Sequence, residues 1–328
     1  MMTLRSLAVS LLLLFVGASS LAAQSRPKVS VIGASLSRGM SLSEESSKRG
    51  ADWLFAKLPE ERKSSIGLGS LFAQLGSAFV LDRSDLYLFT DPLKRGEIQI
   101  EGACGDGASL ILALDFLFWF GYWPEDEKLP KGESGSPLLQ AYGKSDIELE
   151  RCLRSLEKQE HGFALIDRLL SKTTAPIVIA DYPDMFGANP LMLSPHRIPL
   201  RRTLDELNRR LERFAAERPR LLVFPLADYV ARSKRGQVAL PEGDGRSVLP
   251  DDAIQGDNLH PTRLGTALVM HEVLALLHER LDGEAKRALP EMPAFSALVA
   301  KAGAEPHYRA LLAAPKPASA PAPSSASK

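Results

Sequence analysis

Five short apolar runs, each separated from the next by a longer stretch, constrain this chain more than any other feature. They are Lys28-Val29-Ser30-Val31-Ile32, the segment near Phe79-Val80-Leu81, Leu110 to Leu114, Pro176 to Ala180 and Leu221 to Phe224. The Leu110 run has no polar side, which suits a parallel strand covered on both faces. Between the runs the apolar spacing turns helical. Leu71 to Phe79 fits a helix, and Ile147 to Leu170 carries Leu149, Leu153, Leu156, Phe163, Ile166 and Leu170 at helical intervals. Leu200, Leu204, Leu207, Leu211 and Phe214 share one face, with Thr203-Leu204-Asp205-Glu206 in capping-box spacing. Leu264 to Leu281 predicts a last long helix, with Pro261 placed for its first turn. Alternation of this kind predicts an α/β domain, a parallel sheet with helices on both faces. Ligands in such sheets sit at the carboxyl ends of the strands. The residues just after each apolar run are therefore the candidates for chemistry.

Composition narrows the function classes. The chain has 328 residues, with 40 Lys+Arg against 40 Asp+Glu. A net charge of zero gives no electrostatic basis for binding nucleic acid. At 45% hydrophobic and 24% charged residues, the chain is not intrinsically disordered. Cys104 and Cys152 are too few for a disulfide framework, and no Cys/His cluster has zinc spacing. Residues 1–23 predict an export signal: Arg5, an apolar run from Leu7 to Val16 broken only by Ser10, then small residues from Ser19 to Ala23. No other stretch approaches the ~18 apolar residues of a spanning helix, so no integral membrane segment is expected in the mature protein. Its place would be the periplasm or the extracellular space, where Cys104 and Cys152 are free to pair if the fold brings them close. Residues 313–328, rich in Pro, Ala and Ser, predict a disordered tail, which leaves 24–312 as one domain.

After the first run comes Gly33-Ala34-Ser35-Leu36-Ser37-Arg38-Gly39. The glycines have neither P-loop nor dinucleotide-binding spacing. A serine on a tight strand-to-helix turn exposes its hydroxyl beside free backbone N–H groups, which suits a nucleophile. It equally suits a plain helix cap. After the last run lies Asp257-Asn258-Leu259-His260-Pro261, where Asp and His three apart can share a hydrogen bond. The carboxylate would fix the imidazole tautomer and leave the other ring nitrogen as a base. A surface loop with a polar cap is the alternative. Because both segments follow strands of one sheet, they should meet at one edge as nucleophile, base and orienter.

On these residues the sequence resembles the SGNH/GDSL hydrolase family. Gly33-Ala34-Ser35-Leu36 stands where the family has Gly-Asp-Ser-Leu, and the Asp-x-x-His-Pro block is intact as Asp257 to Pro261. The resemblance implies a three-layer α/β/α sandwich with a flavodoxin-like parallel sheet, no metal and no organic cofactor. It implies a serine esterase or acylhydrolase with Ser35 as nucleophile, His260 as base and Asp257 as orienter. The substrate would be a small-molecule, lipid or carbohydrate ester. A carbohydrate O-deacetylase of the same fold and a non-catalytic binding module are the alternatives. The middle blocks differ from the family. The second strand runs into Asp82-Arg83-Ser84-Asp85 without the usual glycine, and Leu117 stands where an oxyanion-binding Asn is expected. The expected oxyanion donors are therefore the backbone N–H of Ser35 and one near Ser84 or Asp85.

Asp115 closes the third apolar run and is expected near the site, either fixing the first loop or contacting substrate. Phe116, Phe118, Trp119, Phe120, Tyr122 and Trp123 form the densest aromatic cluster, a core feature or the lining of an acyl or sugar pocket. Asp115 and Trp119 are the candidate pocket residues. Asp181-Tyr182-Pro183-Asp184-Met185 follows the fourth run at the same edge. His271-Glu272 lacks the second His of a zinc-protease pattern.

Overall fold

The computed structural model describes residues 26–48, 52–122, 147–242 and 245–314. The expected export signal, Trp123 and all but the first two residues of the expected tail lie outside the described residues. Each apolar run is a strand: β1 Lys28–Val31, β2 Phe79–Asp82, β3 Leu110–Ala113, β4 Ile177–Ala180 and β5 Leu221–Phe224. The five are all parallel, in the order β2-β1-β3-β4-β5. Val31 lies opposite Asp82 on one side and Leu112 on the other. Farther along, Ala113 pairs with Ile179, and Ala180 with Phe224. The chain leaves β1 for one edge and returns to β3 across it. The β1 and β3 exits therefore flank a topological switch point, the place where α/β sheets bind ligands.

Two cores cover the sheet. Val29, Val31, Leu110, Leu112 and Val178 pack under the helices Leu68–Leu75, Arg263–Arg280 and Phe295–Ala302. Ile111, Ala113, Ile177 and Ile179 face the helices Pro92–Gly105, Ile147–Lys172 and Arg201–Ala216. The odd and even residues of one strand point to opposite faces, and both faces are covered, so all four residues of β3 must be apolar. This is the three-layer α/β/α sandwich. Among the described residues no helix is long and apolar enough to cross a membrane.

Helix ends depart from the sequence expectations. The helix expected to open at Thr203 starts at Arg201, and Thr203 is buried inside it without a capping hydrogen bond. The last long helix begins at Arg263 and is capped by Thr262, whose hydroxyl accepts from the Gly265 N–H. Pro261 precedes the cap and does not form the first turn. The helix expected from Leu71 starts at Leu68 and ends at Gly76, whose φ of 82° is the left-handed stop that glycine adopts readily. The helix Pro92–Gly105 is absent from the sequence expectations. Gly96, a poor helix former, sits where a Cβ would lie 3.1 Å from Leu165 and 3.2 Å from Phe120. Close packing outweighs propensity there.

Candidate active site

The turn after β1 carries Ser35 at the start of the short helix Ser35–Arg38. The hydroxyl of this partly exposed serine lies 2.9 Å from His260 Nε2. On the other side of the ring, Nδ1 is 2.6 Å from Asp257 Oδ2. Asp257 is fully buried, and its second oxygen accepts from the N–H groups of Leu259 and His260, each at 3.0 Å. These bonds hold the carboxylate still and orient the imidazole. Asn258 makes the turn possible with φ 55°, a left-handed conformation that Asn tolerates better than most side chains. The Gln255 side chain ties the far end down by donating to the Pro261 carbonyl at 2.7 Å. Ser35, His260 and Asp257, separated in sequence, thus stand in line.

Asp115 follows β3 and closes onto the first loop. Its Oδ2 accepts from Leu36 N at 2.7 Å and Ser37 N at 3.4 Å, and Oδ1 accepts from the Ser37 hydroxyl at 2.6 Å. Burial pushes the Asp115 carboxyl above its usual range, with the hydrogen bonds opposing. The side chain lines the cavity beside Ser35, and both its oxygens accept from the first loop. Gly33 makes the approach possible, since a Cβ there would lie 2.1 Å from Asp115 Oδ1.

The expected second oxyanion donor is not available. Ser84 N donates to Asp82 Oδ1 at 3.0 Å, and Asp85 N to the Gly33 carbonyl at 2.9 Å. The Ser84 amide serves the turn after β2, and the Asp85 amide ties that turn to the loop after β1. Among the described residues the Ser35 N–H has no hydrogen-bond partner. Leu117 is buried in the core against Gly162 and takes no part in the site.

A cavity of about 80 Å³ opens beside Ser35 and His260. Phe118, Trp119 and Met185 line it, together with Leu226, Tyr229, Val230, Ser233 and Lys234 from the helix Leu226–Lys234. Trp119 lines this cavity and also belongs to the core under it. Of the rest of the aromatic cluster, Phe116, Phe120 and Tyr122 are core. In the segment after β4, Asp181 caps the helix by accepting from Ala227 N at 2.6 Å, while Met185 reaches the cavity. Burial raises the Asp181 carboxyl to about 6.

The sequence reading missed Gln99. It is 3% exposed, and its amide pairs twice with Gly33, accepting from the N–H at 2.6 Å and donating to the carbonyl at 3.0 Å. The available signal was a polar residue on the buried stripe Gly96, Gln99, Ile100, Ala103. The wall formed by the helix Leu226–Lys234 was missed too. Cys104 and Cys152 are free thiols. His278 Nε2 lies 2.9 Å from the Pro290 carbonyl, and His271 packs edge-on against Phe295. Among the described residues, no three His, Cys, Asp or Glu side chains gather into a metal-binding group.

No family model matches the chain, and no curated protein matches it.

Proposed function

We propose that this chain is an exported serine ester hydrolase of the SGNH/GDSL kind, acting on an acyl ester of a small molecule, lipid or sugar. The observation that carries the reading is the line from Ser35 Oγ to His260 Nε2 at 2.9 Å and from Nδ1 to Asp257 Oδ2 at 2.6 Å. With Nδ1–H donated to Asp257, Nε2 is the free base and accepts the Ser35 proton. Ser35 Oγ then bonds to the ester carbonyl carbon, and the carbonyl oxygen takes the negative charge beside the Ser35 N–H. Collapse breaks the bond to the alcohol, which leaves with the proton from His260. Water, deprotonated by His260, adds to the acyl-serine, and the acid departs as Ser35 regains its proton. Export rests on residues 1–23, and the ester class on the resemblance of the two motifs.

A non-catalytic binding module is the second reading. It is favoured by one observation, the engagement of the Ser84 amide by Asp82 and of the Asp85 amide by the Gly33 carbonyl. Loss of a single oxyanion donor slows such enzymes by about 10²–10³, which weakens turnover without forbidding it. A fluorophosphonate probe separates the two. We expect covalent labelling of the wild type that disappears in Ser35→Ala. Absence of labelling on folded wild-type protein overturns the hydrolase reading in favour of the module.

A further inference from the structure

The backbone ladder of β1 runs out at Ile32, whose N–H still donates to the Leu112 carbonyl at 2.9 Å. At Gly33 both backbone groups turn to a side chain. The Gln99 carboxamide accepts the Gly33 N–H at 2.6 Å and donates to its carbonyl at 3.0 Å. A residue on a neighbouring strand can exchange the same two bonds, so Gln99 stands in for a strand where the sheet has ended. Asp85 N adds a further bond to that carbonyl at 2.9 Å. The pairing is shielded from water, with Gln99 buried on the helix Pro92–Gly105. That helix is itself held close to Leu165 and Phe120 at Gly96.

Gly33 needs such a hold. Its φ of 139° is one that glycine enters and leaves at little cost, so the local chain does not fix the bend. Two residues on, the Ser35 hydroxyl must stand 2.9 Å from His260 Nε2. Asp115 ties the loop just after Ser35, through Leu36 N and Ser37 N, and Gln99 ties it just before. Gln99 is not part of the cavity lining, so it acts on the nucleophile only through the backbone. A misplacement of ~1 Å at a reacting atom costs about 10² in rate, so a group that sets only the bend still governs the chemistry. A buried amide that served stability alone would leave Ser35 reactivity unchanged in folded protein.

We propose that Gln99 is a positioning residue for Ser35: its carboxamide fixes the bend at Gly33 and thereby the approach of the Ser35 hydroxyl to His260. The inference rests on the hydrolase reading for turnover, but not for the placement of Ser35. Gln99→Leu removes both bonds. The control is Gln159→Leu, because Gln159 is equally buried and donates to the Leu207 carbonyl at 2.7 Å, on the helix Arg201–Ala216 and not on the Ser35 loop. Rates of fluorophosphonate labelling are compared on folded protein, with urea unfolding to give the folded fraction. We expect Gln99→Leu to label about 10²-fold more slowly than wild type and Gln159→Leu to stay near it. Equal slowing in both, or none in Gln99→Leu, overturns the positioning role and leaves the hydrolase intact. Should Gln99→Leu not fold, Gln99→Glu is read in the same way, since it keeps an acceptor for the Gly33 N–H but sets a carboxylate against the carbonyl. If the wild type is not labelled, the hydrolase reading falls and placement is read in Ser35→Cys. A thiol held beside His260 titrates below its usual range, which shows in the pH profile of iodoacetamide alkylation on the peptide containing position 35. Adding Gln99→Leu should return that profile to a free thiol's. A profile that Gln99→Leu leaves unchanged overturns the proposal.

Discussion

At Asp115 two effects of opposite sign meet, and asparagine and alanine substitutions pull them apart. The carboxylate accepts from Leu36 N, Ser37 N and the Ser37 hydroxyl. A count of hydrogen bonds alone makes the charge indispensable. Burial nonetheless raises its pKa, so the folded state binds the proton more tightly than the unfolded chain does. An acid shifted this way loses stabilisation as pH rises through and above the ordinary carboxylate range. At pH 7.5 a neutral side chain of the same shape therefore costs little. Asparagine still accepts from Leu36 N, and its amide can donate to Ser37 Oγ while that hydroxyl turns to the Ile32 carbonyl, 3.2 Å away. We expect Asp115→Asn to lie within about 1 kcal/mol of the wild type. Asp115→Ala leaves the Leu36 and Ser37 N–H groups without an acceptor in a site that is 7% exposed. At roughly 1–3 kcal/mol for each orphaned donor, the loss should be about 3 kcal/mol. Urea unfolding at pH 7.5 measures both, and the rate of fluorophosphonate labelling reports whether Ser35 stays in place. An alanine variant within about 0.5 kcal/mol of wild type would refute the account. So would an asparagine variant as unstable as the alanine one.

Three further outcomes are expected. Gly33→Ala puts a Cβ 2.1 Å from Asp115 Oδ1 and 2.5 Å from Ser37 Oγ at a φ of 139°, so it should cost about 3 kcal/mol and suppress Ser35 labelling. Wild-type labelling and melting in this variant would contradict the close approach. Asp257→Asn keeps an acceptor for Leu259 N and His260 N but can no longer hold Nδ1–H as a carboxylate does, so the labelling rate should fall by about 10⁴ while the fold persists. A rate near wild type would remove Asp257 from the line. Asp181 has a carboxyl raised by burial to about 6, so the folded state holds its proton more tightly and stability falls as pH rises from about 4 to 6. The contribution is about 3 kcal/mol at most, and Asp181→Asn should flatten the pH dependence of urea unfolding in that window. An unchanged slope would show that Asp181 does not titrate there.

The strands were legible because burial on both faces leaves no choice of side chain. Leu110 to Ala113 has no polar residue to misplace, and such a run fits few structures besides a covered strand. Helix starts were less legible. Thr203 has the right spacing for a cap, but the buried face of its helix begins earlier, and packing fixes where the first turn lies. Ser35 and His260 could be picked out because each sits in a local turn with its own short-range signature. The oxyanion side could not. Whether the Ser84 amide faces a substrate or Asp82 depends on how the chain bends over two residues at an edge strand, and residue types do not specify that bend.

Sequence alone determined that five apolar segments form a covered parallel sheet, and hence at which edge a hydroxyl, an imidazole and a carboxylate must be sought. The meetings across that edge belonged to the tertiary structure. Ser35 finds His260 across 225 positions, Asp115 finds Ser37 across 78, and Gln99 finds Gly33 across 66. No local pattern encodes such pairs. Each forms only when whole helices have packed on the sheet, and a polar side chain takes as partner whichever group burial leaves without water.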